Sequence, residues 1–119
     1  MRILFVENHD VFADGVRARF LAAHEVVIVP SLAGAREALA RTSFEVILVD
    51  FDLDDGKGVE LVQELCASGS KAPTIVVSAR EDGNQALLTA GAMAAVSKLQ
   101  FNRIEGVLAA LEIAADERA

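Results

Sequence analysis

The sequence predicts an α/β protein in which a doubly wound sheet of five parallel strands is flanked by five helices. Five short apolar runs recur along the 119 residues, and stretches with helical spacing of apolar residues lie between them and after the last one. This alternation is typical of parallel strands joined by right-handed crossovers, with helices on both faces of the sheet. The runs are continuously apolar rather than alternating, which indicates strands buried on both faces.

The predicted strands are rich in β-branched residues, except the last, which is mostly alanine. They are Ile3–Val6, Val26–Val29, Val46–Val49, Thr74–Val77 and Ala94–Ser97.

Each predicted helix carries apolar residues three or four positions apart. The first begins near Asp10, Ser31 is the predicted N-cap of the second, the third ends near Gly69, and the fourth covers about Asn84 to Ala90. The apolar positions are Phe12, Val16 and Phe20; Ala35, Ala38 and Leu39; Val59, Val62, Leu65 and Cys66; Leu87 and Leu88; and Ile104, Val107, Leu108 and Leu111. We expect a single domain over residues 1–119.

The composition restricts the classes of function. The net charge of −7 argues against direct binding to nucleic acid, because that affinity comes largely from Lys and Arg on phosphates. Cys66 is the only cysteine, so neither an intramolecular disulfide nor a zinc site is expected. Glu7 ends the first apolar run, and no apolar stretch approaches the roughly 20 residues of a membrane span. We therefore expect a cytoplasmic protein with no membrane contact.

Polar side chains follow four of the predicted strands. Glu7 and Asn8 follow the first, Asp50 follows the third, Ser78 follows the fourth, and Lys98 follows the fifth. Because ligands bind outside the carboxyl ends of the strands in open parallel sheets, these side chains should converge. Carboxylates, a hydroxyl and a lysine in one pocket indicate phosphoryl transfer to Asp50, with a divalent cation nearby.

With these motifs the chain resembles the receiver domain of response regulators in bacterial two-component signalling. The matching segments are Ile3-Leu4-Phe5-Val6-Glu7-Asn8-His9, Asp50 with Leu53-Asp54-Asp55-Gly56-Lys57-Gly58, Thr74-Ile75-Val76-Val77-Ser78-Ala79, and Ala90-Gly91-Ala92 with Lys98. The resemblance implies a flavodoxin-like sheet with the strand order 2-1-3-4-5.

The resemblance also implies roles for the polar residues. Asp50 would accept a phosphoryl group from a histidine kinase or histidine phosphotransfer protein, in a phosphorelay or two-component system. Ser78 and Lys98 would hold the phosphoryl oxygens. Mg²⁺ would be bound by Glu7, Asn8, Asp50 and the backbone carbonyl of Asp52. Such a domain is not an enzyme, apart from self-catalysed phosphorylation and dephosphorylation, and His9 beside this motif is interpreted as a solvent-facing loop residue.

Four positions depart from the family pattern. Asn8 stands in place of a second carboxylate, which predicts a weaker Mg²⁺ site. Asp54 and Leu99 stand in place of prolines, so the customary cis bond after Lys98 is not expected, since a cis bond to Leu costs about 3 kcal/mol. Ala95 stands in place of the aromatic residue that, in most receivers, changes its orientation on phosphorylation. We therefore expect the signal to be transmitted near residues 50–58 and the first helix instead. There, Arg80 would move toward Asp52 or the phosphoryl group.

Two alternative functions fit parts of the sequence. Asp50 and Asp52 also resemble the Asp-x-Asp motif of haloacid-dehalogenase-type phosphatases, although nothing after Lys98 supplies that family's acidic pair and the chain leaves no room for a cap. A degenerate receiver that acts only as a protein-interaction module is the other alternative. The resemblance further implies a homodimer through residues 83–118, whose surface would carry the charged residues Arg103, Glu105, Glu112 and Arg118.

Overall fold

The computed structural model describes residues 1–70, 72–78, 88 and 91–110. The strands in this part of the chain are β1 (Arg2–Val6), β2 (Glu25–Val29), β3 (Val46–Val49), β4 (Asp52–Leu53), β5 (Gly56–Lys57), β6 (Thr74–Ser78) and β7 (Ala94–Ser97). Five of them form a parallel sheet in the order β2-β1-β3-β6-β7. This confirms the predicted flavodoxin-like α/β fold and its 2-1-3-4-5 order.

Helices follow four of the five sheet strands within the described residues. They are α1 (Asp10–Phe20), α2 (Leu32–Arg41), α3 (Gly58–Ala67) and a 3₁₀ helix (Lys98–Arg103) that continues as α-helix over 104–110. The predicted fourth helix lies outside the described residues apart from Leu88, which is helical. Among the helices that are described, none has the length and apolar character needed to cross a membrane.

Local sequence explains how two of the helices begin and end. The Ser31 hydroxyl accepts a hydrogen bond of 3.0 Å from the Gly34 backbone N–H, which confirms the predicted N-cap of α2. Helix α3 ends at Ala67, two residues before Gly69, whose φ of +72° favours glycine. The Ser70 N–H then donates to the Leu65 carbonyl at 3.0 Å. Cys66 was predicted on the apolar face of this helix and therefore in the core, which is wrong, because the residue is exposed.

The core covers both faces of the sheet. Alternate residues of β1 point to opposite sides, so Ile3 and Phe5 pack beneath α1 and the C-terminal helical segment, whereas Leu4 and Val6 pack beneath α2 and α3. In the parallel register, Val6 pairs with Val49. The next residues along these two strands are Glu7 and Asp50, so the first polar positions after the apolar runs are placed side by side.

A small antiparallel hairpin follows β3 and was not predicted. In it β4 pairs with β5, with Asp52 opposite Lys57 and Leu53 opposite Gly56. Strands of two residues are too short to show an alternating pattern, which explains why they could not be recognised beforehand. The hairpin places the acidic segment after Asp50 against the N-terminus of α2.

Candidate functional site

Two carboxylates lie at the C-terminal ends of the neighbouring strands β1 and β3, in the middle of the sheet. Glu7 is fully buried, and Asp50 is only 4% exposed. The Glu7 N–H donates to the Val29 carbonyl and the Asp50 N–H to the Val6 carbonyl, both at 2.9 Å, so each backbone continues the sheet. The rigid strands therefore fix where both carboxyl groups are held.

Lys98 supplies the positive charge of this pocket. It begins the 3₁₀ helix after β7, and its side chain is 14% exposed. Its Nζ lies 3.0 Å from Oε1 and 2.9 Å from Oε2 of Glu7, and 3.5 Å from Oδ2 of Asp50. The Phe12 ring, with its centroid 4.7 Å away, covers the ammonium. Glu7 and Lys98, which are 91 positions apart in the sequence, therefore lie together in this pocket.

The environment of Asp50 favours its protonated form. Burial is the main cause, the neighbouring Glu7 carboxylate adds to it, and Lys98 opposes it; together they raise the pKa of Asp50 to about 6. A carboxyl group with this pKa is mostly ionised at neutral pH. It therefore remains a nucleophile, and a stronger base than an ordinary aspartate.

Asn8 and His9 extend the pocket from the loop before α1. The Asn8 amide nitrogen donates to Oδ1 of Asp54 at 3.4 Å, whereas its buried Oδ1 accepts no hydrogen bond from any described residue. His9 is 63% exposed, but its Nδ1 lies 2.8 Å from Oε1 of Glu7. His9 is a solvent-facing loop residue, as predicted, but its contact with Glu7 was not predicted. The sequence feature that could have indicated this contact is the position of His9 two residues after Glu7, in the loop between β1 and α1.

The donor atoms present suit a divalent cation. The carboxylates of Glu7 and Asp50 and the unpartnered Asn8 Oδ1 are oxygens of the kind that Mg²⁺ binds. Glu7, His9 and Asp50 also offer ligand atoms that all lie within 4.8 Å of one another. The residue set therefore fits a cation site, although Asn8 contributes no charge to it.

Ser78 and Asp52 also lie at this edge of the sheet. Ser78 is buried at the end of β6, the strand next to β3. The Asp52 side chain forms an ion pair with Lys57, whose Nζ lies 5.3 Å from the centroid of the Phe51 ring. Arg80, the predicted partner of Asp52, lies outside the described residues.

Gly58 keeps α3 in contact with the backbone of Asp50. Its N–H donates to the Phe51 carbonyl at 2.7 Å. A Cβ atom here would lie 2.1 Å from the Asp50 carbonyl oxygen and 2.8 Å from Cγ1 of Val49. Only glycine allows this approach, so the helix start and the Asp50 backbone are packed directly together.

Several predicted departures can be located. Ala95 is exposed on β7, and the described backbone contains no cis peptide bond. Of the residues predicted for a dimer surface, Arg103 and Glu105 are exposed, and Glu105 Oε1 lies 3.1 Å from Nε2 of His24 in the same chain. Glu112 and Arg118 lie outside the described residues.

Comparison with known proteins agrees with this architecture. No curated protein matches the chain in sequence. The receiver domain of the TMAO respiratory system response regulator TorR is 25% identical, with a TM-score of 0.78 over 98% of this chain and 97% of that one. A signal receiver domain from Vibrio parahaemolyticus is 20% identical, with a TM-score of 0.85 over 98% and 94% of the two chains.

A third similar structure contains a cation. It is the receiver domain of a sensor histidine kinase from Pseudomonas aeruginosa PAO1, with a magnesium ion coordinated in the active site cleft. It is 23% identical, with a TM-score of 0.80 over 90% of this chain and 93% of that chain. The family described as response regulator receiver domain matches residues 3–110 of the present sequence. The chain therefore belongs to the response regulator receiver domain family.

Proposed function

We propose that this receiver domain accepts a phosphoryl group on Asp50 from the phosphohistidine of a histidine kinase or phosphotransfer protein. The observation that carries the proposal is the placement of the Asp50 carboxylate 3.5 Å from the Lys98 ammonium at the C-terminal edge of the sheet. A carboxylate oxygen attacks phosphorus, the bond from phosphorus to the imidazole nitrogen breaks, and an acyl phosphate forms on Asp50.

The surrounding residues support this transfer by balancing charge. Lys98 offsets the negative charge that the phosphoryl group brings, and the Ser78 hydroxyl on the neighbouring strand can donate to a phosphoryl oxygen. Glu7, Asn8, Asp50 and the Asp52 carbonyl would hold Mg²⁺, which neutralises carboxylate and phosphoryl oxygens when bound. Because Asn8 is neutral, we propose that this domain binds Mg²⁺ more weakly than a receiver with two carboxylates at these positions.

One observation favours a second function, that of an interaction module which is not phosphorylated. Lys98 Nζ lies closer to Glu7 than to Asp50, at 2.9 Å against 3.5 Å. A lysine held by Glu7 is less available to a phosphoryl group. By contrast, the phosphatase alternative is not supported, because the Asp52 side chain that would act as general acid-base is paired with Lys57.

Acetyl phosphate as a small donor distinguishes these functions. The protein is incubated with it, with and without Mg²⁺, and intact-mass measurement detects a single phosphoryl adduct. We expect an adduct on the natural protein, none on Asp50→Asn, and an undiminished adduct on Asp55→Asn, whose carboxylate lies outside the pocket. No adduct on the natural protein or on Asn8→Asp would support the interaction module instead.

A further inference from the structure

His9 brings a nitrogen donor into the cation pocket. Its Nδ1 lies 2.8 Å from Oε1 of Glu7, and its backbone N–H donates to the same oxygen at 3.2 Å. These two contacts hold the ring and the carboxylate side by side. With Asp50, they form a set of one nitrogen and two carboxylate donors whose ligand atoms all lie within 4.8 Å of one another.

A positive group already lies among these donors. The Lys98 ammonium is 3.3 Å from Nδ1 of His9, 3.0 Å from Oε1 of Glu7 and 3.5 Å from Oδ2 of Asp50. It shows where the pocket stabilises a cation. The buried Asn8 Oδ1 accepts no hydrogen bond from the described residues, which leaves one further oxygen donor without a protein partner.

We propose that His9 is a metal ligand, and that this pocket binds a first-row transition dication such as Zn²⁺ or Co²⁺ in preference to Mg²⁺. Imidazole nitrogen is a good ligand for zinc, cobalt and nickel, whereas Mg²⁺ selects oxygen and retains much of its water. The proposal deepens the receiver function above, because it names the cation of the same site.

Ligation of a cation requires a change of tautomer in the His9 ring. The Glu7 carboxylate only accepts hydrogen bonds, so the contact of 2.8 Å places a proton on Nδ1. For Nδ1 to present its lone pair to a cation, the ring proton must reside on Nε2 instead. The ring is 63% exposed, so water can accept a hydrogen bond from Nε2–H. The main opposing factor is Lys98, whose ammonium must leave the shared donors when a dication binds there.

The chain provides a matched control for the test, because its only other histidine is His24. The His24 Nε2 lies 3.1 Å from Glu105, and its Nδ1 lies 3.2 Å from the Met1 amino group, so neither contact involves the pocket. The natural protein, His9→Gln and His24→Gln are each titrated calorimetrically with Zn²⁺ and, separately, with Mg²⁺. Thermal unfolding followed by circular dichroism confirms that each variant is folded.

We expect the natural protein to bind Zn²⁺ roughly 100-fold more tightly than Mg²⁺, and His9→Gln to lower the Zn²⁺ affinity about tenfold or more while changing the Mg²⁺ affinity less than about threefold. The same affinity for Zn²⁺ in His9→Gln would overturn the proposal, as would a loss of Zn²⁺ affinity in His24→Gln. Side-chain ¹⁵N NMR gives a direct readout, since Zn²⁺ should shift the Nδ1 resonance of His9 and leave that of His24 in place.

The two proposals fail in different ways. If Zn²⁺ binds through His9 but acetyl phosphate gives no adduct on Asp50, the metal assignment stands and the phosphoacceptor function does not. If the adduct forms with Mg²⁺ while the Zn²⁺ titrations of the natural protein and His9→Gln coincide, the phosphoacceptor function stands and the metal assignment is wrong.

Discussion

Two acidic regions of this molecule differ in how their carboxylates are satisfied. In the pocket at the sheet edge, the buried Glu7 and Asp50 share one ammonium, that of Lys98. In the segment 52–58, each aspartate has a different partner. Asp52 pairs with Lys57, Asp54 accepts from Asn8, and Asp55 accepts from the N-terminus of α2.

This difference appears in the two pKa shifts of opposite direction. Burial and Glu7 raise the pKa of Asp50, whereas hydrogen bonds from the Ala33 and Leu32 backbone N–H groups lower the pKa of Asp55. The pocket therefore holds charge at a cost to stability, and the segment after it uses charge to support a helix end. Neighbouring acids in a sequence can thus serve a ligand or the fold, depending on the donors that surround them.

Gly58→Ala should have the largest effect, because it breaks the junction between the two regions. The added Cβ would lie 2.1 Å from the Asp50 carbonyl oxygen, so the Asp50 backbone must move. We expect a loss of about 3 kcal/mol in the free energy of unfolding, measured by urea denaturation, and a matching fall in acetyl phosphate adduct.

Gly15→Ala is the control for that substitution. A Cβ at this position in α1 meets nothing within 4 Å, and alanine favours the helix, so stability should rise by about 0.5–1 kcal/mol. Equal stabilities for Gly58→Ala and the natural protein would show that α3 can shift away from Asp50 at little cost. The contact between them would then not determine the position of Asp50.

Neutralising one acid from each region should change stability in opposite directions. Asp50 has a folded-state pKa of about 6, above its ordinary value of 3.8, so the cost of its charge to stability grows as the pH rises from 3.8 and is complete above about 6. Asp50→Asn should therefore raise the free energy of unfolding at pH 7.5 by up to about 3 kcal/mol, since each tenfold change in proton affinity corresponds to about 1.4 kcal/mol. This gain should shrink as the pH falls from 6 to 4.

Asp55→Asn should show the reverse sign and the reverse pH dependence. The pKa of Asp55 is lowered, so its charge contributes stability above its ordinary pKa and this contribution is lost in acid. We expect Asp55→Asn to be less stable than the natural protein at pH 7.5, with the difference closing below pH 4. Urea unfolding of both variants at several pH values measures this, and two changes of the same sign would contradict the distinction between the regions.

The pocket could be predicted from the sequence more completely than the segment 52–58 beside it. The ends of long apolar strands are visible in sequence, so Glu7, Asp50 and Lys98 could be placed at one edge before the structure was known. The strands of the hairpin are only two residues long, which is too short to show an alternating pattern. The docking of Asp55 on α2 joins segments 22 or more residues apart, which leaves no periodic pattern either. The contact of His9 with Glu7 is set by side-chain rotamers in a loop, which spacing does not determine.

The smallest change concerns Asn8, which touches both regions. Its amide nitrogen donates to Asp54 of the acidic segment, while its oxygen is left without a described donor. Asn8→Asp should raise Mg²⁺ affinity about tenfold, because a carboxylate attracts a hard dication more strongly than an amide does. Asp54→Asn is the control, and it should change Mg²⁺ affinity less than about twofold, since exposed charges are largely screened. NMR titration of the Asp50 region gives both affinities. An increase with Asn8→Asp alone would assign the Asn8 oxygen to the pocket, whereas equal affinities in all three proteins would place it with the acidic segment.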